Sequence, residues 1–156
     1  MKKNVSSWAN ALVGVSLCAF LFAFMPLPGA HSVKVYLDSK LVLDQYVNFK
    51  SEAPKLTIDP TEKYTQLIVR YNECNRTVTG RILTVKDEHD KVVKEWRFEG
   101  SSTGFSEPMT CSLKDIIALK QKGSNKLKLY YASKDFPEGH QVAYLVFGGN
   151  VTTAAK

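Results

Sequence analysis

From Val33 to Phe147 the chain is a succession of short β-type runs, few longer than about ten residues, each closed by turn chemistry. That punctuation excludes long helices and the regular strand–helix alternation of a parallel α/β sheet. The clearest unit is Thr77–Phe98. Val78, Ile82 and Thr84 alternate with Thr79, Arg81, Leu83 and Val85; Asp87-Glu88-His89-Asp90 turns the chain; Val92, Trp96 and Phe98 follow, with Lys94 among them. This reads as a β-hairpin, and Gly80 inside its first strand predicts a bulge or a close backbone approach.

Val33–Leu37 and Lys40–Phe49 flank the turn residues Asp38-Ser39 and form an N-terminal hairpin, with Leu41, Leu43 and Tyr46 expected to point inward. Pro54–Ile58 is a short edge piece. Tyr64–Tyr71 is dense in apolar residues and belongs in the middle of a sheet. Gly100–Pro108 reads as a polar loop. Ser112 and Asp115 form a capping-box pattern that opens one helix; Leu113, Ile116, Ile117 and Leu119 give that helix an apolar face, and Gly123 supplies its left-handed stop. Lys126–Tyr131 alternates until its aromatic pair, and Gln141–Phe147 is the last strand.

About eight short strands and one short helix predict an all-β fold, a β-sandwich of immunoglobulin-like or jelly-roll-like type. The segment Gly123-Ser124-Asn125-Lys126-Leu127-Lys128-Leu129 resembles the G-x-N-x-L-x-L lead into a late strand of many immunoglobulin-like and jelly-roll modules. The resemblance implies a sandwich and no particular activity.

The first residues follow other rules. Lys2-Lys3 is a short basic start, Ala11–Met25 is uncharged and almost wholly apolar, and Pro26, Pro28 and Gly29 end that run before small residues. A membrane-spanning helix needs about 20 apolar residues, so the layout is that of a cleavable secretory signal. The expected cut falls after Ser32, or after Ala30 with Pro28 at the −3 position. This divides the chain into a signal peptide (1–32), a sandwich domain (33–148) and a flexible tail (149–156), and places the product in the periplasm or outside the cell.

Two consequences follow for the mature part. Of 21 Lys and Arg against 15 Asp and Glu, only Lys2 and Lys3 leave with the signal, so the remainder is mildly basic. The charges are interspersed; Lys114, Lys120, Lys122, Lys126 and Lys128 read as a solvated face, and a nucleic-acid partner is not expected. Cys18 also leaves, and in an oxidising compartment Cys74 and Cys111 are expected to pair as a structural disulfide, stabilising by about 4 kcal/mol. No C-x-x-C or zinc-ligand spacing is present, and neither a metal nor a cofactor is expected.

Catalytic patterns are thin. Gly100-Ser101-Ser102-Thr103-Gly104 matches the G-x-S-x-G nucleophile elbow, but no helix follows it as that chemistry requires. A hydrolase using the Ser102 loop is therefore the least favoured reading, and no catalytic residue is assigned. His89 sits among acids at a turn and reads as solvated. The aromatic residues offer more. Tyr130 and Tyr131 are consecutive, so in a strand they point to opposite faces, and Phe105 lies in the polar loop. Phe105, Tyr130 and Tyr131 form the candidate binding surface. The expected function is an exported, non-enzymatic binding module for protein or glycan, with a structural envelope component as the alternative.

Overall fold

The structure is a computed structural model that describes residues 31–47, 49–120 and 125–148. The leader up to Ala30, Cys18, Gly123 and the tail 149–156 lie outside the described residues. Nine strands and one helix follow in chain order: β1 (Ser32–Leu37), β2 (Lys40–Tyr46), β3 (Lys55–Ile58), β4 (Gln66–Asn72), β5 (Thr77–Lys86), β6 (Val92–Thr103), β7 (Met109–Ser112), α1 (Leu113–Ala118), β8 (Lys126–Ala132) and β9 (His140–Phe147). They build a two-layer β-sandwich. One sheet runs β2-β1-β4-β7 and the other β3-β9-β8-β5-β6.

Alternation dictates the layers. Val33, Val35 and Leu37 on β1, Leu67, Val69 and Tyr71 on β4, and Leu127, Leu129 and Tyr131 on β8 are all buried, while the residues between them are half-exposed. Each strand therefore turns one parity inward to a single shared core. Tyr131, assigned from sequence to the binding surface, belongs to the inward parity and is fully buried.

The strand order separates the two sandwich types. β9-β8-β5-β6 has the G-F-C-C′ order of an immunoglobulin variable-type sheet, β4 and β7 pair as its B and E strands do, and β3 runs parallel to β9 at the edge. The hairpin β1–β2 is added to the first sheet beside β4. Helix α1 joins β7 to β8. Ser112 caps it by accepting a hydrogen bond from the Asp115 N–H at 3.3 Å, and Leu113 and Ile116 plug into the core.

Local details agree with the sequence at Gly80. The β5–β6 register shifts between Thr79 and Arg81, and Gly80 has φ +60°, the left-handed conformation of a bulge. Three expectations need correction. Tyr46 is 76 % exposed and Leu41 43 %, because a register shift in the β1–β2 pairing turns Leu41 to the same face as Tyr36. Gly100–Thr103 is strand rather than loop: it completes β6 by pairing with Thr77–Thr79.

The third correction concerns the cysteines. Cys111 lies on β7 opposite Leu67, near the start of β4, whereas Cys74 follows the far end of β4. At about 3.3 Å per residue the two are roughly 20 Å apart, and a disulfide needs Cα atoms within about 7 Å. Cys74 and Cys111 are therefore not joined. A different cross-sheet tie stands between the B-type and F-type strands, the pair that immunoglobulin domains join by a disulfide. The Tyr71 ring of β4 stacks on the Tyr131 ring of β8, with centroids 3.9 Å apart and planes at 14°. The Tyr131 hydroxyl donates to the buried Glu73 carboxylate at 2.8 Å, and Tyr71 Oη lies 3.1 Å from His31 Nδ1.

Candidate functional site

The outward parity of the first sheet carries a different composition from its inward one. Pairing across β2, β1 and β4 sets three rows: Tyr46 beside Ser32 and Asn72, Asp44 beside Lys34 and Arg70, and Leu41 beside Tyr36 and Ile68. A charged row thus runs between two that contain aromatic or aliphatic side chains. Lys34 Nζ sits 3.4 Å from the Asp44 carboxylate. The pair is solvent-exposed, so it orients the two groups more than it stabilises the fold.

Phe105 closes this face from above. It projects from the short connection between β6 and β7, which is pinned rather than loose. Arg70 Nη1 donates to the Phe105 carbonyl at 2.5 Å, and the Thr103 N–H donates to Ser106 Oγ at 3.1 Å. Gly104 turns the chain at φ +60°, with Asn75 Oδ1 3.5 Å from where a Cβ would stand. The Phe105 ring lies 5.1 Å from Lys34 Nζ, a cation–π contact.

Two hollows meet at Lys34 and Phe105. One, of about 400 Å³, is lined also by Tyr36, Ser39, Ile68 and Arg70; the other, of about 580 Å³, by Ser32, Asp44, Gln45 and Tyr46. Together they make an open groove across the sheet, within the size range of small-ligand sites. Asp38 borders it at the β1–β2 turn. Partial desolvation raises its carboxyl pKa, but hydrogen bonds from the Thr65 hydroxyl at 2.9 Å and from the Gln66 and Thr65 N–H groups outweigh this and hold it below the ordinary value. Those bonds also fix the hairpin turn against the start of β4.

The sequence candidates are not brought together. Phe105 lies in the groove. Tyr131 lies in the core. Tyr130 lies on the outer face of the second sheet, its ring 4.1 Å below Lys86 Nζ and its hydroxyl 3.3 Å from Gln141 Oε1. Tyr36, Tyr46, Lys34, Asp44 and Arg70 were not singled out from sequence. Their signal was parity: Lys34 and Tyr36 alternate with Val33, Val35 and Leu37, so a ring at an outward position was there to be read.

Ser102 is buried within β6. Its hydroxyl lies 3.4 Å from Ser106 Oγ and accepts from the Glu107 N–H at 3.4 Å. A strand interior is not the sharp turn that exposes a nucleophilic serine. Among the described residues, no three His, Cys, Asp or Glu side chains gather where a metal ion could be held. Among them, too, no helix is long and apolar enough to cross a membrane. The chain matches no known family model and no curated protein.

Proposed function

We propose that this chain is an exported, non-catalytic binding module whose groove on the first sheet takes a saccharide. The observation that carries the reading is the groove itself, where Tyr36, Phe105 and Tyr46 flank the Asp44–Lys34–Arg70 row. Sugar rings present apolar faces rimmed by hydroxyls. Aromatic rings supply contact area to the faces, while a carboxylate, an ammonium and a guanidinium supply hydrogen bonds to the rim. The groove is held in shape before any ligand arrives, which lowers the ordering cost of binding.

Export rests on the basic start, the short apolar run and the proline stop of the leader. His31 and Ser32 are built into the sandwich: the His31 carbonyl accepts the Val47 N–H at 2.8 Å, and Ser32 pairs with both Tyr46 and Asn72. This favours cleavage after Ala30 over cleavage after Ser32.

A panel of immobilised oligosaccharides, followed by calorimetric titration of those retained, tests the reading. Tyr36→Ala and Phe105→Ala should each weaken binding about tenfold, or by roughly 1.4 kcal/mol, with an unchanged melting temperature. Failure to retain any saccharide, or retention indifferent to both substitutions, would overturn it. A protein ligand is the second reading. It is favoured by Leu41 and Tyr46, which stand exposed on the edge strand β2, where an extended peptide could add to the sheet.

A further inference from the structure

The outer face of the second sheet is a separate surface with its own chemistry. Strand pairing sets Lys86 of β5 directly opposite Lys128 of β8, Lys128 opposite Tyr144 of β9, and Lys55 of β3 beside the same Tyr144. Lys126 stands on the same face, two residues before Lys128 on β8. Four ammonium groups from three strands are thus gathered on one side of the sheet. Like charges directly opposite each other on a sheet are destabilising, so this arrangement works against the fold that carries it.

The ammonium groups are also held in place. Lys86 Nζ lies 4.1 Å from the centroid of the Tyr130 ring, and Lys126 Nζ lies 3.5 Å from that of Tyr144. Asp90, from the β5–β6 turn, reaches Lys128 Nζ at 2.7 Å, and Glu95 on the same face is taken by Arg97 at 2.6 Å. The two acids nearest the lysines, Asp90 and Glu95, are therefore engaged in ion pairs, while Glu99 lies farther along β6 beyond Arg97, and positive charge prevails over β8 and its neighbours at the centre of the face.

We propose that this face binds an acidic polysaccharide, one that carries a carboxylate or sulfate on successive sugars. Neighbouring positions on one sheet face are about 5 Å apart across strands and about 7 Å apart along them, so the cations form a two-dimensional lattice suited to a repeating anion. The two tyrosine rings are covered by ammonium groups and offer no open platform for stacking bases, which disfavours single-stranded nucleic acid. Ile82 and Val146 on this face are half-buried, and Val92, opposite Lys86, is an exposed aliphatic side chain but not an aromatic one, so the face offers little to insert into a bilayer. The proposal does not depend on the groove of the first sheet.

Titration of the exported protein with polygalacturonate at low and high salt tests it. Binding is expected at about 0.05 M salt and should weaken strongly near 0.5 M, as charges on exposed groups are screened. Lys86→Gln combined with Lys126→Gln should reduce affinity about tenfold, and Lys55→Gln with Lys126→Gln, which leaves the Tyr130 contact intact, should act in the same direction. The loss caused by Lys86→Gln with Lys126→Gln should be as large in a Tyr36→Ala background as without it, which separates this binding from saccharide binding in the groove. The proposal is overturned if polygalacturonate does not bind at low salt. It is equally overturned if Lys63→Gln with Lys134→Gln, both away from this face, weakens binding as much. Tighter binding of phosphatidylglycerol vesicles or of oligothymidylate at matched charge concentration would also reject it.

Discussion

At the scale of single residues, the interior is tied by rings rather than sulfur. The Tyr71–Tyr131 stack links the two sheets, and its hydroxyls reach His31 and Glu73. Burial strongly raises both tyrosine pKa values, with the Glu73 charge adding to the effect, so both rings stay neutral at any physiological pH. The cysteines behave as separate residues. Burial, with a smaller contribution from Asp115, pushes the Cys111 thiol up to about 12, while Cys74 is half-exposed. Since the thiolate is the reactive form, iodoacetamide at neutral pH should label Cys74 in the native protein and reach Cys111 only after unfolding. Peptide mass spectrometry of the labelled protein would read this directly. A Cys74–Cys111 cross-linked peptide in the purified protein would contradict the strand register itself.

At the scale of elements, the connections are more demanding than the strands. Gly139, in the β8–β9 turn, has φ +67°, and a Cβ there would stand 2.6 Å from the Tyr131 carbonyl oxygen. Gly100 also has a positive φ of +81°, but a Cβ would meet nothing within 4 Å. Gly139→Ala should therefore cost well over the ~1–2 kcal/mol of the left-handed conformation, and Gly100→Ala only about that amount, by urea denaturation. The same contrast explains what could be read from sequence. The β5–β6 hairpin announced itself through alternation, an acidic turn and the bulge at Gly80. By contrast, β7 has only Met109-Thr110-Cys111-Ser112, too few residues to show a period, and the small polar Gly100–Thr103 becomes strand only because Thr77–Thr79 pairs with it. Phe105 was legible as a loop aromatic. The outward position of Tyr36 was legible too, from the alternation of β1, but its place in a groove was not, since that depends on Phe105 and Arg70 arriving from distant segments. The Cys74–Cys111 pairing failed for a related reason: compartment and cysteine number constrain redox state, whereas proximity is set by strand register.

At the scale of the whole molecule, one end of the sandwich is closed by a cluster drawn from both sheets. His31 packs edge-on against Phe49, Tyr71 and Phe136, and His140 against Phe49 at 4.7 Å. Burial and the nearby His31 charge lower the His140 pKa. Below the ordinary histidine value of about 6.5, the unfolded chain then binds more protons at this position than the folded one, so acid favours unfolding. The melting temperature should decline as pH drops from about 7 toward 5, and His140→Gln should flatten that part of the profile; an identical slope in both proteins would dissociate the cluster from acid sensitivity. The position of β9 has a separate consequence. This strand, whose sequence ends the described part of the chain, is an interior one, wedged between β3 and β8. The five-stranded sheet can zip shut only after residue 147 has been delivered, because β3 must wait for a neighbour almost ninety residues downstream. Contacts so remote in sequence make for slow, all-or-none assembly on the order of milliseconds to seconds. Until that partner arrives, β3 has no strand beside it with which to share its hydrogen bonds.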